Sequence, residues 1–256
     1  MAALAKRKIG RTDLEATTMG LGGTALGNMY TAVEEQAALD VVKSAYAGGL
    51  RFFDAAPVYG FGLAESRMGA GLKPLPRQDV VVSTKVGYRL VPLAQGEKPS
   101  EFWEKAPALT SEFDFSRDGV RRSLEDSLER MKLDHVEMVA IHDPDEAAGL
   151  DANGVTVKNR FKDAMDGAYR ALHDLRSEGV IRAIGVGMNQ WKMLVDFARA
   201  GEFDYFLVAG RYTLLEQEPL DTLLPLCVER GISIIIGGPY NSGILASGAV
   251  PGAYHN

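Results

Sequence analysis

Leu50-Arg51-Phe52-Phe53-Asp54-Ala55-Ala56-Pro57-Val58-Tyr59-Gly60 decides the reading of this chain. An apolar run ends on a carboxylate, a loop carrying a phenol follows, and Leu63 to Leu72 then reads as a helix. The same event recurs downstream. Val80-Val81-Val82-Ser83-Thr84 gives way at Lys85, and Val136-Glu137-Met138-Val139-Ala140-Ile141 gives way at His142. If these runs are parallel strands of a (β/α) barrel, Asp54, Tyr59, Lys85 and His142 meet on the face where such barrels do chemistry. A phenol, an ammonium, a carboxylate and an imidazole together suit proton transfer at a hydroxyl or carbonyl carbon.

Working outward, the elements alternate. Arg7 to Ala16 reads as a small hairpin around Gly10 to Asp13, and Thr18 to Gly22 as a first short strand. Val33 to Ala47 carries apolar residues at helical spacing and stops at Gly48-Gly49. After Lys85 comes Val86 to Phe115, roughly 30 residues without clear periodicity, a length typical of functional lids. Ser116 then caps a helix, Arg117 to Met131, with Val120, Leu124, Leu128 and Met131 on one face. Strand four is Val136 to Ile141. Helix Lys158 to Ser177, strand Ile181 to Val186, helix Gln190 to Ala200, strand Asp204 to Ala209, helix Pro219 to Arg230 and strand Ile232 to Ile236 follow. This alternation implies parallel pairing with right-handed crossovers. Pattern alone leaves an open doubly wound sheet and a closed barrel both available. A barrel requires an eighth unit, so on that reading residues 1–256 are a single domain short of its last β/α unit, by roughly 50 to 80 residues.

Composition sets limits on function. With 46% hydrophobic residues the chain can bury a large core. The net charge of -6, with no basic block, argues against a nucleic-acid or anionic-membrane surface. No stretch approaches a transmembrane length, and Lys6, Arg7 and Lys8 have no apolar run behind them, so a cytoplasmic protein is expected. The single cysteine, Cys227, lies in the helix-like Leu223-Leu224-Pro225-Leu226-Cys227-Val228 and reads as buried packing. His135, His173 and His255 lack a strand-end context and read as surface residues; no metal site is expected.

Gly20-Leu21-Gly22-Gly23-Thr24-Ala25 satisfies the dinucleotide fingerprint G-x-G-x-x-A after a strand. The fingerprint needs its helix to open inside the motif, whereas the helical pattern here starts only near Val33. A backbone turn under a ligand, or a plain strand-loop, is the better reading.

Phe53 to Gly69 resembles the signature of the aldo-keto reductases, as do Ser83-Thr84-Lys85-Val86, Ile141-His142-Asp143-Pro144-Asp145 and Gly185-Val186-Gly187-Met188-Asn189 in order. The resemblance implies a (β/α)8 TIM barrel that binds NAD or NADP without a Rossmann domain. Gly87-Tyr88-Arg89, Phe113 to Val120, His142 to Asp145 and Ile236 to Leu245 further resemble the bacterial sugar-dehydrogenase branch, with its L-fucose, D-threo-aldose and pyridoxal dehydrogenases. Those enzymes oxidise a cyclic hemiacetal, so an aldose such as L-fucose or D-arabinose is the implied substrate. Pyridoxal oxidation, general aldehyde or ketone reduction, and a non-catalytic nicotinamide-binding subunit are the alternatives.

Within that frame Tyr59 is the general acid/base, Lys85 lowers its pKa, Asp54 holds Lys85, and His142 donates to or orients the substrate oxygen. Each also has a bland reading: a packing aromatic, a plain ion pair, a satisfied core histidine. Asn189 matches the family position that holds the nicotinamide carboxamide. Gly22, Gly23, Thr24 and Asp54 are expected to line the same floor. The loop Gly238, Pro239, Tyr240, Ser242, Gly243 and Leu245 is expected to wrap the pyrophosphate through backbone N–H groups. Two departures from the family are visible, Ala209 where relatives place glutamine and Gly237 where they place a stacking tyrosine. Tyr88, Trp103 and Asp143 are the expected substrate contacts, with Phe102, Phe113, Phe115 and Asp145 as further candidates. Oligomeric state is not indicated.

Overall fold

The computed structural model describes residues 4–97, 100–145 and 159–251. In chain order the elements begin with β1 (Lys6–Lys8), β2 (Glu15–Thr17), β3 (Leu21–Gly22), α1 (Glu35–Ala47), β4 (Phe52–Asp54), α2 (Leu63–Leu72) and β5 (Val81–Val86). Then come β6 (Tyr88–Pro92), β7 (Leu109–Phe113), α3 (Arg117–Met131) and β8 (Met138–His142). A helix opens as α4 (Phe161–Asp163), passes through a π-helical segment Ala164–Tyr169 and closes as α5 (Arg170–Ser177). The last elements are β9 (Ala183–Met188), α6 (Trp191–Ala200), β10 (Tyr205–Ala209), α7 (Leu223–Arg230), β11 (Ser233–Gly237) and α8 (Ile244–Ser247).

Seven strands form one parallel sheet in the order β3-β4-β5-β8-β9-β10-β11. Spatial order follows chain order throughout, whereas a doubly wound sheet reverses at its switch point. The sheet curls into a nearly closed barrel, which settles the choice the pattern left open. Every residue of β5, β8 and β9 is buried, as expected for strands covered on both faces. The hairpin β1–β2 closes the N-terminal end: Ile9, Leu14 and Ala16 pack on Phe52, Val81, Met138, Ala140, Ala183 and Tyr205 inside the barrel. Gly10 N donates to Ser233 Oγ at 2.7 Å, tying that hairpin to β11.

Three expectations need correction. The segment after Lys85 is not irregular: β6 and β7 pair antiparallel, from Tyr88 opposite Phe113 to Pro92 opposite Leu109. These strands are only half-buried and far apart in sequence, so they carry no clean alternation. The helix expected over Pro219 to Arg230 breaks into a 3-10 turn, Glu218–Asp221, and α7 from Leu223. Pro225 has no N–H to give Asp221 and its ring would meet that carbonyl, so α7 restarts with Pro225 in its first turn. Finally, the first long helix opens at Glu35, not Val33, because Glu34 is still extended, with φ -64° and ψ 143°.

Other readings stand as made. Ser116 caps α3 by accepting from Gly119 N at 3.0 Å, and Val120, Leu124 and Met131 are buried along the expected face. Thr24–Gly27 is a 3-10 turn and no helix opens inside the glycine motif. Cys227 is buried, and burial pushes its thiol up to about 12. His135 and His173 are exposed; Lys158 and His255 lie outside the described residues. No helix among the described residues is long and apolar enough to cross a membrane.

Candidate active site

Asp54 is the last residue of β4, and Lys85 sits one residue before the end of β5. Parallel pairing of these strands brings the two together: Lys85 Nζ donates to Asp54 Oδ2 at 2.7 Å and to the Ala55 carbonyl at 2.8 Å. The ammonium is 1% exposed and lies 4.6 Å from the centroid of the Tyr59 ring. Burial pulls the Lys85 pKa down, but the charges of Asp54 and Tyr59 and hydrogen bonds to both outweigh it, so the group stays an ammonium. Asp54 keeps its other oxygen, Oδ1, buried and without a hydrogen-bond partner among the described residues.

Tyr59 differs from expectation in one respect. Lys85 does lower the phenol's pKa, yet burial acts more strongly the other way and Asp54 adds to it, so the net shift is upward. A cation alone does not make this phenol acidic; it limits how far burial raises it. At neutral pH Tyr59 therefore carries its proton.

His142 ends β8 and presents its ring to the edge of Tyr59, with centroids 5.7 Å apart at 83°. Burial, then the charge of Lys85, holds its pKa well below 6.5. The contact of its Nε2 with Asp143 Oδ2 at 3.5 Å is thus one of a neutral imidazole, not an ion pair. Its Nδ1 is buried with no hydrogen-bond partner among the described residues. Of the expected substrate contacts, Tyr88 packs 5.6 Å from His142, Trp103 lies 6.0 Å from Tyr59, and Asp143 adjoins His142. Phe102 packs on Trp103 and Phe113 on Tyr88, one shell back. Phe115 packs on Phe113, with centroids 5.7 Å apart, and Asp145 is fully buried.

The turn carrying Tyr59 is seated by backbone contact. A Cβ on Gly60 would meet Gly27 O at 2.4 Å, and one on Gly27 would meet the Gly60 nitrogen at 2.7 Å. Only glycines permit that approach, and Gly60 also takes a φ of 63°. Farther along, fully buried Glu65 on α2 accepts from Thr84 Oγ1 and from Arg130 Nε, both at 2.6 Å, fastening α2 to β5 and α3.

A cavity of about 790 Å³ fills the seam between the edge strands β3 and β11, from the β1–β2 hairpin at Arg7 to Ile9 up to Asp54 and Tyr59. Gly22, Thr24, Gly238 and Pro239 line it, together with Ala209 and Gly237. A Cβ on Gly22 would meet nothing, so that floor faces open space. Gly23 behaves otherwise: its N–H is taken by the Asp54 carbonyl at 2.7 Å, making it a seat for β4. Asn189 Nδ2 donates to the Ala209 carbonyl at 3.3 Å. In the following loop the N–H groups of Asn241, Gly243 and Leu245 close on the carbonyls of Gly238, Tyr240 and Tyr240, so these three amides serve the loop itself. Tyr240 is exposed, with right-handed backbone followed by left-handed Asn241 and Ser242. Such alternation can form an anion-binding concavity, but here the Asn241 N–H is already taken by the Gly238 carbonyl.

Asn28 and Arg67 escaped the sequence reading, and both are buried against the turn below Tyr59. No spacing signal marks them; only the fold brings them together.

A family model described as Aldo/keto reductase family matches residues 18–256. Pyridoxal 4-dehydrogenase of Microbacterium luteolum is 35% identical over 261 residues, covering 96% of this chain and 74% of the relative. D-threo-aldose 1-dehydrogenase of Pseudomonas sp is 37% identical over 238 residues, covering 91% and 68%. Among solved structures, an aldo-keto reductase from Bacillus halodurans in its holo form superposes with a TM-score of 0.76 at 25% identity, over 99% of this chain and 73% of that one.

Proposed function

Since the chain belongs to the aldo/keto reductase family of oxidoreductases, we propose that it oxidises the hemiacetal of an aldose such as L-fucose or D-arabinose to the lactone, with NAD or NADP. The observation that carries this is the buried Lys85 ammonium, held by Asp54 and set 4.6 Å over the Tyr59 ring. NAD or NADP, when bound, accepts the hydride from the anomeric carbon. The Tyr59 end of the cavity suits that cofactor, since Gly22, Thr24, Gly238 and Pro239 line it and a Cβ on Gly22 would meet nothing. Asn189 is assigned to the carboxamide, and Gly243 and Leu245 to the outer wall of the pyrophosphate loop.

The residues then divide the proton work. Tyr59 Oη takes the anomeric hydroxyl proton as the C–H bond breaks and the carbonyl forms. Lys85 stabilises the phenolate that accepts this proton and becomes the neutral phenol, and Asp54 fixes Lys85. His142, neutral, can offer a single N–H to the same oxygen without competing for the proton. Because burial raises the phenol above its ordinary range, the oxidation rate should keep rising with pH on the alkaline side. The reverse reduction uses the protonated phenol and should persist at neutral pH.

Pyridoxal is the second reading. Trp103 beside Tyr59 and Tyr88 beside His142 offer aromatic faces to a flat ring, and the Microbacterium relative is named for that substrate. Absorbance at 340 nm decides. NAD and NADP are each offered L-fucose, D-arabinose, L-galactose and pyridoxal in turn, with Tyr59→Phe as control. Reduction with an aldose, lost by roughly 10²- to 10⁴-fold in the variant, is expected. Turnover of pyridoxal alone favours the second reading, and turnover that survives in Tyr59→Phe overturns the assignment of the base.

A further inference from the structure

The turn after β3 is fastened on two sides, and the two fastenings share one residue. Arg67 on α2 is 6% exposed and directs its guanidinium into that turn. Its Nη1 donates to Leu26 O at 2.8 Å and to Asn28 Oδ1 at 2.7 Å, its Nη2 to Val33 O at 2.8 Å, and its Nε to Glu35 Oε2 at 2.8 Å. Asn28, 3% exposed, is left-handed with φ 65°, a conformation that Asn and Asp tolerate better than most residues. Its Oδ1 is occupied by Arg67 and by Val33 N.

The other half of the Asn28 amide points across to the substrate side. Nδ2 donates to the Glu104 carbonyl at 2.8 Å, and Glu104 N donates back to the Asn28 carbonyl at 2.9 Å. Beside this pair, Met29 and Trp103 form an antiparallel bridge, and Tyr30 N donates to Phe102 O at 3.0 Å. The stretch 102–104 is thereby hydrogen-bonded as a short strand against the turn, and its Trp103 ring stands 6.0 Å from Tyr59.

We propose that Asn28 is a positioning residue: its side-chain amide latches residues 102–104 to the barrel and so fixes Trp103 as one wall of the opening above Tyr59. The inference rests on the proposed oxidoreductase site only for its kinetic consequence. Asn28 touches no reacting atom. Its effect is on how tightly substrate is enclosed, and so on KM and on discrimination between small and bulky substrates. Arg67 acts one step farther back by holding Asn28 Oδ1.

Asn28→Asp isolates the latch. The carboxylate keeps both acceptor contacts, with Arg67 and with Val33 N, and keeps the tolerance for a left-handed backbone. It replaces the donor facing Glu104 O by an oxygen, turning attraction into repulsion. In a Trp191→Phe background Trp103 is the single tryptophan, so its emission reads the wall directly. Expected are a red-shifted emission, stronger acrylamide quenching, and a KM raised roughly three- to tenfold, the scale of one net hydrogen bond. The kcat should stay within about twofold. An emission and a KM that both match the parent overturn the proposal, as does a loss confined to kcat.

Amide hydrogen exchange on the unaltered protein guards against a variant that does not fold. The Glu104 and Tyr30 amides should be protected, and exchange at unprotected rates at both overturns the latch. If Trp103 moves in Asn28→Asp while the parent shows no dehydrogenase activity, the latch stands and the proposed function fails.

Discussion

Thr84 and Lys85 are neighbours on β5 and serve opposite faces of it. Thr84 donates outward to Glu65, in the layer between α2 and α3, while Lys85 donates inward to Asp54. Both carboxylates are buried and each is paired with a cation, yet they are finished differently. Glu65 is closed: Oε1 accepts from Thr84, Oε2 accepts from Arg130, and Arg130 continues to Ser127 Oγ at 3.0 Å. Asp54 is left open, with Oδ1 unpartnered among the described residues and its cation set beside a phenol. An unsatisfied buried acceptor costs about 1–3 kcal/mol, so folds retain few of them without a use. A satisfied pair fastens helices, whereas an open one keeps capacity for a ligand or for a changing charge.

The sharpest way to break that comparison is Lys85→Met. Turnover should fall by roughly 10²- to 10⁴-fold. Any residual oxidation should shift to higher pH, because the charge that restrains the Tyr59 pKa is gone and burial acts unopposed. Steady-state rates across pH 7 to 11 measure both. A variant with the parent rate and profile would make the Asp54–Lys85 pair as structural as Glu65–Arg130.

Glu65→Ala is the converse experiment. Removing one partner of a buried pair leaves Arg130 and Thr84 without their acceptor, at a cost of about 3–5 kcal/mol in denaturant unfolding. KM and the pH profile of the folded enzyme should not move. If they do, the helix layer and the site are coupled through β5.

The histidine sharpens the contrast along a different axis. His142 is neutral in the folded protein because burial and Lys85 hold its pKa well below 6.5. The unfolded chain takes up a proton there as pH falls below about 6.5, and the folded chain does not. Stability from this group is therefore complete above that pH and declines below it, by up to about 1.4 kcal/mol per pH unit. Urea unfolding at pH 7.5, 6 and 5 should show a shallower acid decline in His142→Gln than in the parent. Equal slopes would mean that His142 titrates normally.

How much of this was legible follows from which interactions are local. Asp54, Lys85 and His142 stand at or beside the ends of apolar runs, and runs of that kind are visible as composition, so three of the four core positions of the site announced themselves. Tyr59 followed from the loop between Asp54 and the α2 pattern. The Ser116 cap was equally local. The fold's handedness of order was not: seven alternating strands suit two sheet layouts, and only the strand neighbours decide. The β6–β7 hairpin was invisible because its strands are half-buried and its register is set across a long connection. Asn28 carries no pattern, and Arg67, though inside the Phe53 to Gly69 stretch, shows no role there, since their partners come from turns and helices far apart in sequence. The sign of the Tyr59 shift was also out of reach, because a sequence displays the neighbouring cation but not the depth of burial that outweighs it.

Thr84→Val is the smallest of these perturbations and the most discriminating, because it alters the residue next to Lys85 without touching Lys85 itself. Valine keeps the shape and the strand preference of threonine and removes only the hydroxyl donor. Glu65 Oε1 loses its hydrogen bond but keeps the Arg130 charge nearby, so the cost should sit near the low end for an unsatisfied acceptor, about 1 kcal/mol. Differential unfolding measures it. The chemical prediction is stricter than the energetic one. If the two faces of β5 are independent, Thr84→Val leaves the alkaline limb of the oxidation profile where the parent has it, since nothing that Tyr59 or Lys85 touches has changed. A displaced limb would show that the strand passes strain from the closed carboxylate to the open one, and that Glu65 tunes the site as well as bracing it.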